Sequence, residues 1–108
     1  MKRTIEWAAG LFEGEGCITK SEGYYALQLG MTDEDVVRDF AEAVGYGNVN
    51  SWHSPSHKSK GYKKMYNWKV KKKSEVYRIL EAMLPYLGNR RAYKALNCLD
   101  ELDIKLYP

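Results

Sequence analysis

Two glutamates, Glu13 and Glu15, stand one residue apart at the end of the segment Ala8–Gly16, which reads AAGLFEGEG. Ile5, Ala8, Leu11 and Phe12 recur at helical spacing and Thr4 can cap them, so the spacing predicts a helix to about Gly14. As a purely structural helix it is poorly built. Gly10 lies inside it, at a cost of about 1 kcal/mol against Ala. Both acids lie at the C-terminal end, where the helix dipole disfavours anions. The face around Ala9, Gly10 and Gly14 is nearly bare. A bare face lets two helix backbones approach, which suggests a symmetric partner. Carboxylates held against the dipole are the ligand type a hard cation such as Mg²⁺ takes. Read alone, the segment also suits a helix that frays into a glycine-rich turn with two solvated acids.

A second misplaced pair is Arg90 and Arg91, in the first turn of a helix that Asn89 is expected to cap. Cations there oppose the dipole. A phosphate partner would explain them, and so would a surface ion pair.

The charge is lopsided. The net charge is +3, yet from Ala43 to Ser74 there is no acid, and Lys58, Lys60, Lys63, Lys64, Lys69, Lys71, Lys72 and Lys73 give that stretch +8, which leaves −5 elsewhere. Such a one-sided field is the usual mark of a polyanion partner, although a solvated lysine-rich loop would carry the same charges. His53 and His57 lie in this stretch without metal-pair spacing. Cys17 and Cys98 make neither a disulfide framework nor a metal motif and are expected to be buried, reduced residues.

These groups must be positioned by a single domain of 108 residues, 44% apolar and 29% charged, an ordinary composition for a folded protein. No apolar run approaches the roughly 18 residues of a membrane span, and the start lacks an apolar signal core, so a cytoplasmic compartment is expected. Gly16–Ser21 and Tyr24–Gly30 read as strands around a Glu22-Gly23 turn. In the second, Tyr25, Leu27, Leu29 and Met31 share one face. Thr32 is expected to cap a helix that ends at Gly45. Asn48–His53 and Tyr62–Lys71 read as strands, and Ser74 is expected to cap a helix that Pro85–Gly88 breaks before the last one, which runs to about Leu102. Leu80, Leu84, Tyr86, Leu96 and Leu99 are expected in the core. The order α-β-β-α-β-β-α-α predicts an α+β fold, with a four-stranded sheet covered by helices on one face. The open face would present Thr19, Ser21, Tyr24, Gln28, Asn50, Trp52, Asn67 and Lys69, a polar surface able to meet base edges in a DNA major groove.

The segment AAGLFEGEG resembles the nine-residue LAGLIDADG motif of a homing-endonuclease family. Gly10, Leu11 and Gly16 match it directly, and both acids are Glu where the name has Asp. The element order is similar to the family's αββαββα core with a saddle-shaped antiparallel sheet. Met31–Val37 with Val44–Val49, and Leu84–Arg91, are similar to its central helix and turn and to the segment that presents a basic catalytic residue, commonly Lys. The resemblance implies a homodimeric endonuclease that makes a metal-dependent double-strand break at a pseudo-palindromic DNA site. It implies Glu15 as ligand to Mg²⁺ or another divalent cation, Glu13 as a helix-end structural residue, and Arg90 or Arg91 beside the phosphate. Ala9, Gly10, Glu13 and Gly14 would lie at the dimer interface. No small-molecule cofactor and no membrane partner are implied. Two departures bear on activity: Arg stands where Lys is common and cannot give up its proton, and Met31-Thr32 stand where the family often has Gln. An inactive DNA-binding protein or an RNA-splicing maturase on the same fold, or a basic protein–protein adaptor, would fit the same residues.

Overall fold

The first helix begins where its cap predicts. Thr4 Oγ1 accepts a hydrogen bond from the Trp7 amide at 3.2 Å, and α1 spans Ile5–Glu15, with Ala8, Ala9 and Phe12 fully buried. The computed structural model describes residues 2–52 and 64–106, without the side chains of residues 52 and 105. Its further elements are β1 (Gly16–Ser21), β2 (Tyr24–Met31), α2 (Glu34–Val44), β3 (Asn48–Trp52), β4 (Met65–Val70), α3 (Lys73–Met83), a 3₁₀ turn (Leu84–Tyr86) and α4 (Asn89–Leu106). The fold is α+β.

The four strands form one antiparallel sheet in the order β1-β2-β4-β3. Three strands turn large apolar residues to the helices: Ile18 from β1, Tyr25, Leu27 and Leu29 from β2, and Trp68 and Val70 from β4 are all buried. An aromatic column crosses the core from α1 to the sheet. Phe12 stacks on Phe40 with ring centroids 6.3 Å apart, and Phe40 meets Trp68 edge-on at 4.8 Å. The buried indole donates to the Tyr46 carbonyl at 2.7 Å. Gly47 (φ 93°) leaves the space the indole fills.

Several sequence expectations are corrected. Helix α2 is capped at Asp33 and not at Thr32: the Val36 and Val37 amides donate to the Asp33 carbonyl. Ser74 lies inside α3, whose cap position is Lys72. The Gly88 carbonyl, not Asn89, precedes α4 and accepts from the Ala92 amide at 2.8 Å. Tyr86 and Leu96 are exposed, while Leu80 is buried and Leu84 and Leu99 are half-buried. The inner stripe of α4 is Ala95, Cys98 and Leu102, which points away from Leu96. Cys98 is buried, but Cys17 is exposed, because Ile18 takes the inward position of β1 and strand alternation turns its neighbour out. Both cysteines are free.

Helix α4 is tied to the sheet edge by Lys20, whose ammonium lies 2.9 Å from the Glu101 carboxylate. That hydrogen bond raises the Lys20 pKa. Burial, helped by Glu101, raises that of Tyr25, and burial pushes the Cys98 thiol up to about 12. All three groups hold their protons more tightly folded than unfolded. As pH rises through the unfolded pKa values, the unfolded chain releases protons first and is favoured. Urea unfolding should therefore show stability that is level near neutrality and falls through the alkaline range, with a shallower fall in Cys98→Ala. Equal slopes for the two proteins would exclude the thiol as a contributor.

Candidate functional site

The two motif glutamates are held differently. Glu13 points back into its own chain. Its Oε1 accepts from the Gly88 amide at 2.6 Å, and its Oε2 lies 3.4 Å from Arg91 Nε. That nitrogen also donates to the Glu13 carbonyl at 2.7 Å, one of the carbonyls a helix end leaves without an internal partner. Arg91 is largely covered, its side chain 17% exposed, with its guanidinium 5.9 Å from the centre of the Phe12 ring. The carboxylate offsets both the start of α4 and a half-buried cation, so the end of α1 and the beginning of α4 are fastened together. Glu15 is exposed, and among the described residues no hydrogen bond or ion pair engages its carboxylate. Arg90, beside Arg91 on α4, is likewise exposed and without an acid partner among the described residues.

The motif glycines also divide. The backbone of Gly16 is ordinary extended chain (φ −86°, ψ 168°), so no unusual torsion calls for glycine. A Cβ there would overlap the Phe12 ring, so glycine is present for space. At Gly10 and Gly14 a Cβ would meet nothing within 4 Å. Nothing within the described chain accounts for either. Both face outward, whereas Ala9, expected on the same bare face, is fully buried in the protomer core. Of the four residues expected at a dimer interface, α1 therefore presents Gly10 and Gly14 outward, Glu13 at the junction with α4, and Ala9 inward.

The fit to a divalent cation can be judged from the donors. Among the described residues no three His, Cys, Asp or Glu side chains gather. Mg²⁺ needs fewer, since one or two carboxylates with water and substrate phosphates suffice. The uncommitted carboxylate of Glu15 meets that requirement, while Glu13 has both oxygens engaged.

Strand alternation puts Thr19, Ser21, Tyr24, Gln28, Asn50, Asn67 and Lys69 on the open sheet face. Pairing aligns Cys17, Gln28, Lys69 and Asn48 in one row across all four strands. Gly30, Asn67 and Asn50 form the next row. Ser21 pairs with Tyr24, and Thr19 pairs with Ala26. Lys71 reaches over the Tyr24 ring, 5.9 Å from its centre, and Lys64 is exposed just before β4. Trp52 ends β3 opposite Met65. His53, His57, Lys58, Lys60 and Lys63 lie outside the described residues. Sequence reasoning missed Cys17 and Asn48, although alternation along β1 and β3 from Ile18 and Asn50 would have found both. An open groove of about 560 Å³ borders this face, lined by Asn48, Asn50, Lys69, Lys71, Lys72 and Glu75 among others.

Gly30 shapes this surface. A Cβ there would strike the Asn67 amide oxygen, so the missing side chain lets Asn67 lie flat across the ladder. Gly30→Ala should displace that amide at a cost near the low end of the 1–3 kcal/mol typical of overpacking, since the exposed group can swing aside. The Asn67 side-chain amide resonances should shift in a ¹⁵N spectrum with the ladder intact. Unmoved resonances would contradict this.

No family model and no curated protein sequence matches the chain. Solved structures do. The homing endonuclease I-CvuI, crystallised with its target in the presence of calcium, superposes with a TM-score of 0.70 at 22% identity over 92% of this chain and 65% of its own. The homing endonuclease I-TnaI gives 0.73 at 16% identity over 98% of this chain and 76% of its own. The LAGLIDADG meganuclease I-AabMI, bound to uncleaved DNA, gives 0.74 at 14% identity over 96% of this chain and 38% of its own. The chain thus spans about two thirds of the length of I-CvuI and less of I-AabMI. Helix α1 ending in two acids, the β1-β2-β4-β3 antiparallel sheet with one polar face, and these superpositions lead to one conclusion: this chain has the fold of the LAGLIDADG homing endonucleases.

Proposed function

We propose that the protein is a homodimeric DNA endonuclease that makes a divalent-cation-dependent double-strand break. The observation that carries this reading is the contrast within α1. Gly16 and Glu13 have reasons inside the protomer, whereas Gly10, Gly14 and Glu15 have none there among the described residues. A second copy packed on Gly10 and Gly14 would give the glycines their purpose and bring two Glu15 carboxylates together. The neighbours I-CvuI and I-AabMI, crystallised with a target and with DNA, support DNA as the partner.

In this reading the polar sheet faces lie in the major groove on either side of the cut. Gln28, Asn50, Asn67 and Lys69 meet base edges, with Thr19, Ser21, Tyr24 and Trp52 around them. Lys64 and Lys71 bind phosphates, together with Lys58, Lys60 and Lys63 from the segment outside the described residues. Glu15 of each protomer would hold Mg²⁺, which lowers the pKa of a bound water and stabilises charge on the leaving oxygen. Glu13 fixes the end of α1 against α4, so the direction in which Glu15 leaves the helix is set by the fold. Arg90 clamps the scissile phosphate and Arg91 supports it from behind. Neither can shuttle a proton, because a guanidinium stays charged. Water on the Glu15 side must therefore deliver its proton to solvent or to DNA.

The test is a plasmid library carrying a randomised insert, incubated with the protein and Mg²⁺ or with chelator, and sequenced at the new ends. Metal-dependent ends with a pseudo-palindromic consensus are expected. Binding without cutting would leave a DNA-binding module, and preference for structured intron RNA would replace the nuclease with a splicing role.

A further inference from the structure

Helix α4 begins with cations, against its dipole. Its N-terminal half carries Arg90, Arg91 and Lys94 and no acid, and the acids Asp100, Glu101 and Asp103 follow toward its C-terminal end. Arg90, exposed in the first turn, opposes the helix dipole at a cost of about 0.3–1 kcal/mol. Glu101 has a reason, its pairing with Lys20. Arg91 has one in Glu13. Arg90 and Lys94, one turn apart, have no acid partner among the described residues, whereas Arg3 and Arg38 are ion-paired with Asp39 and Glu34. Arg90, Arg91, Tyr93, Lys94 and Asn97 line a surface groove of about 440 Å³, and Tyr93 is 70% exposed beside it.

We propose that this groove is a second phosphate-binding site, which holds the sugar–phosphate backbone of one DNA strand beyond the phosphate that is cut. The proposal rests on the endonuclease reading. It extends that reading from the first turn of α4 to Tyr93, Lys94 and Asn97, which lie on neither the sheet face nor α1. From Arg90 to Asn97 the helix rises about 10 Å. That length is enough to follow a strand past more than one phosphate. Past Arg90, which takes the scissile phosphate, Lys94 supplies the charge, the Asn97 amide can donate to a phosphate oxygen, and the Tyr93 ring offers a sugar a flat apolar face. The stripe begins beside Gly88, which Glu13 binds directly. Contacts of this kind carry no sequence information and would strengthen every site equally.

The experiment measures duplex binding by fluorescence anisotropy between about 50 and 200 mM salt, the range over which counterion release is read. Wild type, Lys94→Gln and Asn97→Ala are compared on the duplex that wild type cleaves and on one with a scrambled site. Lys94→Gln should lower the slope of log affinity against log salt by about 0.9, one phosphate contact. It should weaken both duplexes by the same factor. Asn97→Ala should weaken both with the slope unchanged. Both side chains are exposed, so thermal melts should match wild type. Wild-type slope and affinity in Lys94→Gln would overturn the groove while leaving the nuclease reading intact. A wild-type protein that binds no duplex would overturn both.

Discussion

Glu15→Gln should abolish cleavage and leave the protein at least as stable as before. The two halves of this result have separate causes. The carboxylate is exposed, without a partner among the described residues, at the C-terminal end of α1. Removing its charge relieves an opposition to the helix dipole of about 0.3–1 kcal/mol, so the melting temperature should hold or rise slightly. Cleavage should nevertheless fall by more than about a hundredfold, because losing even an outer-shell partner of a bound metal typically costs 10–100-fold. Affinity for duplex DNA in chelator should be unchanged. A solvated acid without a role would give the stability result and full cleavage, so activity at a wild-type level in Glu15→Gln would end the metal assignment. Single-turnover cleavage with a thermal melt on the same preparation reads both.

Gly16→Ala should have the opposite signature. A methyl at this position would occupy the space of the Phe12 ring, and that ring cannot step aside, since it is fully buried and stacked on Phe40. Overpacking usually costs about 1–3 kcal/mol, and the overlap of a Cβ with a buried aromatic ring belongs at the upper end of that range or beyond. Against a total stability of 5–15 kcal/mol for a typical domain, the urea midpoint should drop markedly, and cleavage should fall with the folded fraction. Gly14→Ala, two residues earlier, meets nothing among the described residues and should leave the midpoint at or above wild type. Equal midpoints for Gly16→Ala and wild type would contradict the packing described for the motif.

This contrast also marks how far the sequence could be read. The glycines and acids of AAGLFEGEG stand out at once, because a helix should not end that way. Which glycine serves the core and which faces out depends on where the Phe12 ring lies, and which acid is tied down depends on Gly88, 75 residues away. Local pattern carries neither. The strands and their facing were legible, since Tyr25, Leu27 and Leu29 alternate with small or polar neighbours and the register keeps that alternation across the sheet. The order β1-β2-β4-β3 was not, because the pairing of β2 with β4 joins residues some 40 positions apart. In α4 the true inward stripe of Ala95 and Cys98 is small and inconspicuous, while the larger Leu96 lies on the exposed face. Helix starts failed at Thr32, Ser74 and Asn89 for a related reason. Each is a favourable cap residue, but the chain already turns into the helix at a neighbour whose carbonyl takes the first bond.

Everything proposed for activity depends on two copies meeting through α1, and Gly10→Arg tests this most directly. A Cβ at Gly10 meets nothing among the described residues, and arginine is a better helix former by nearly 1 kcal/mol, so the single chain should fold at least as well. It would, however, place a long cation where two backbones must touch. Sedimentation should give wild type twice the chain mass and Gly10→Arg the mass of one chain, with the variant folded and inactive. A wild-type monomer, or a Gly10→Arg protein that still sediments as a dimer and cuts, would contradict the account.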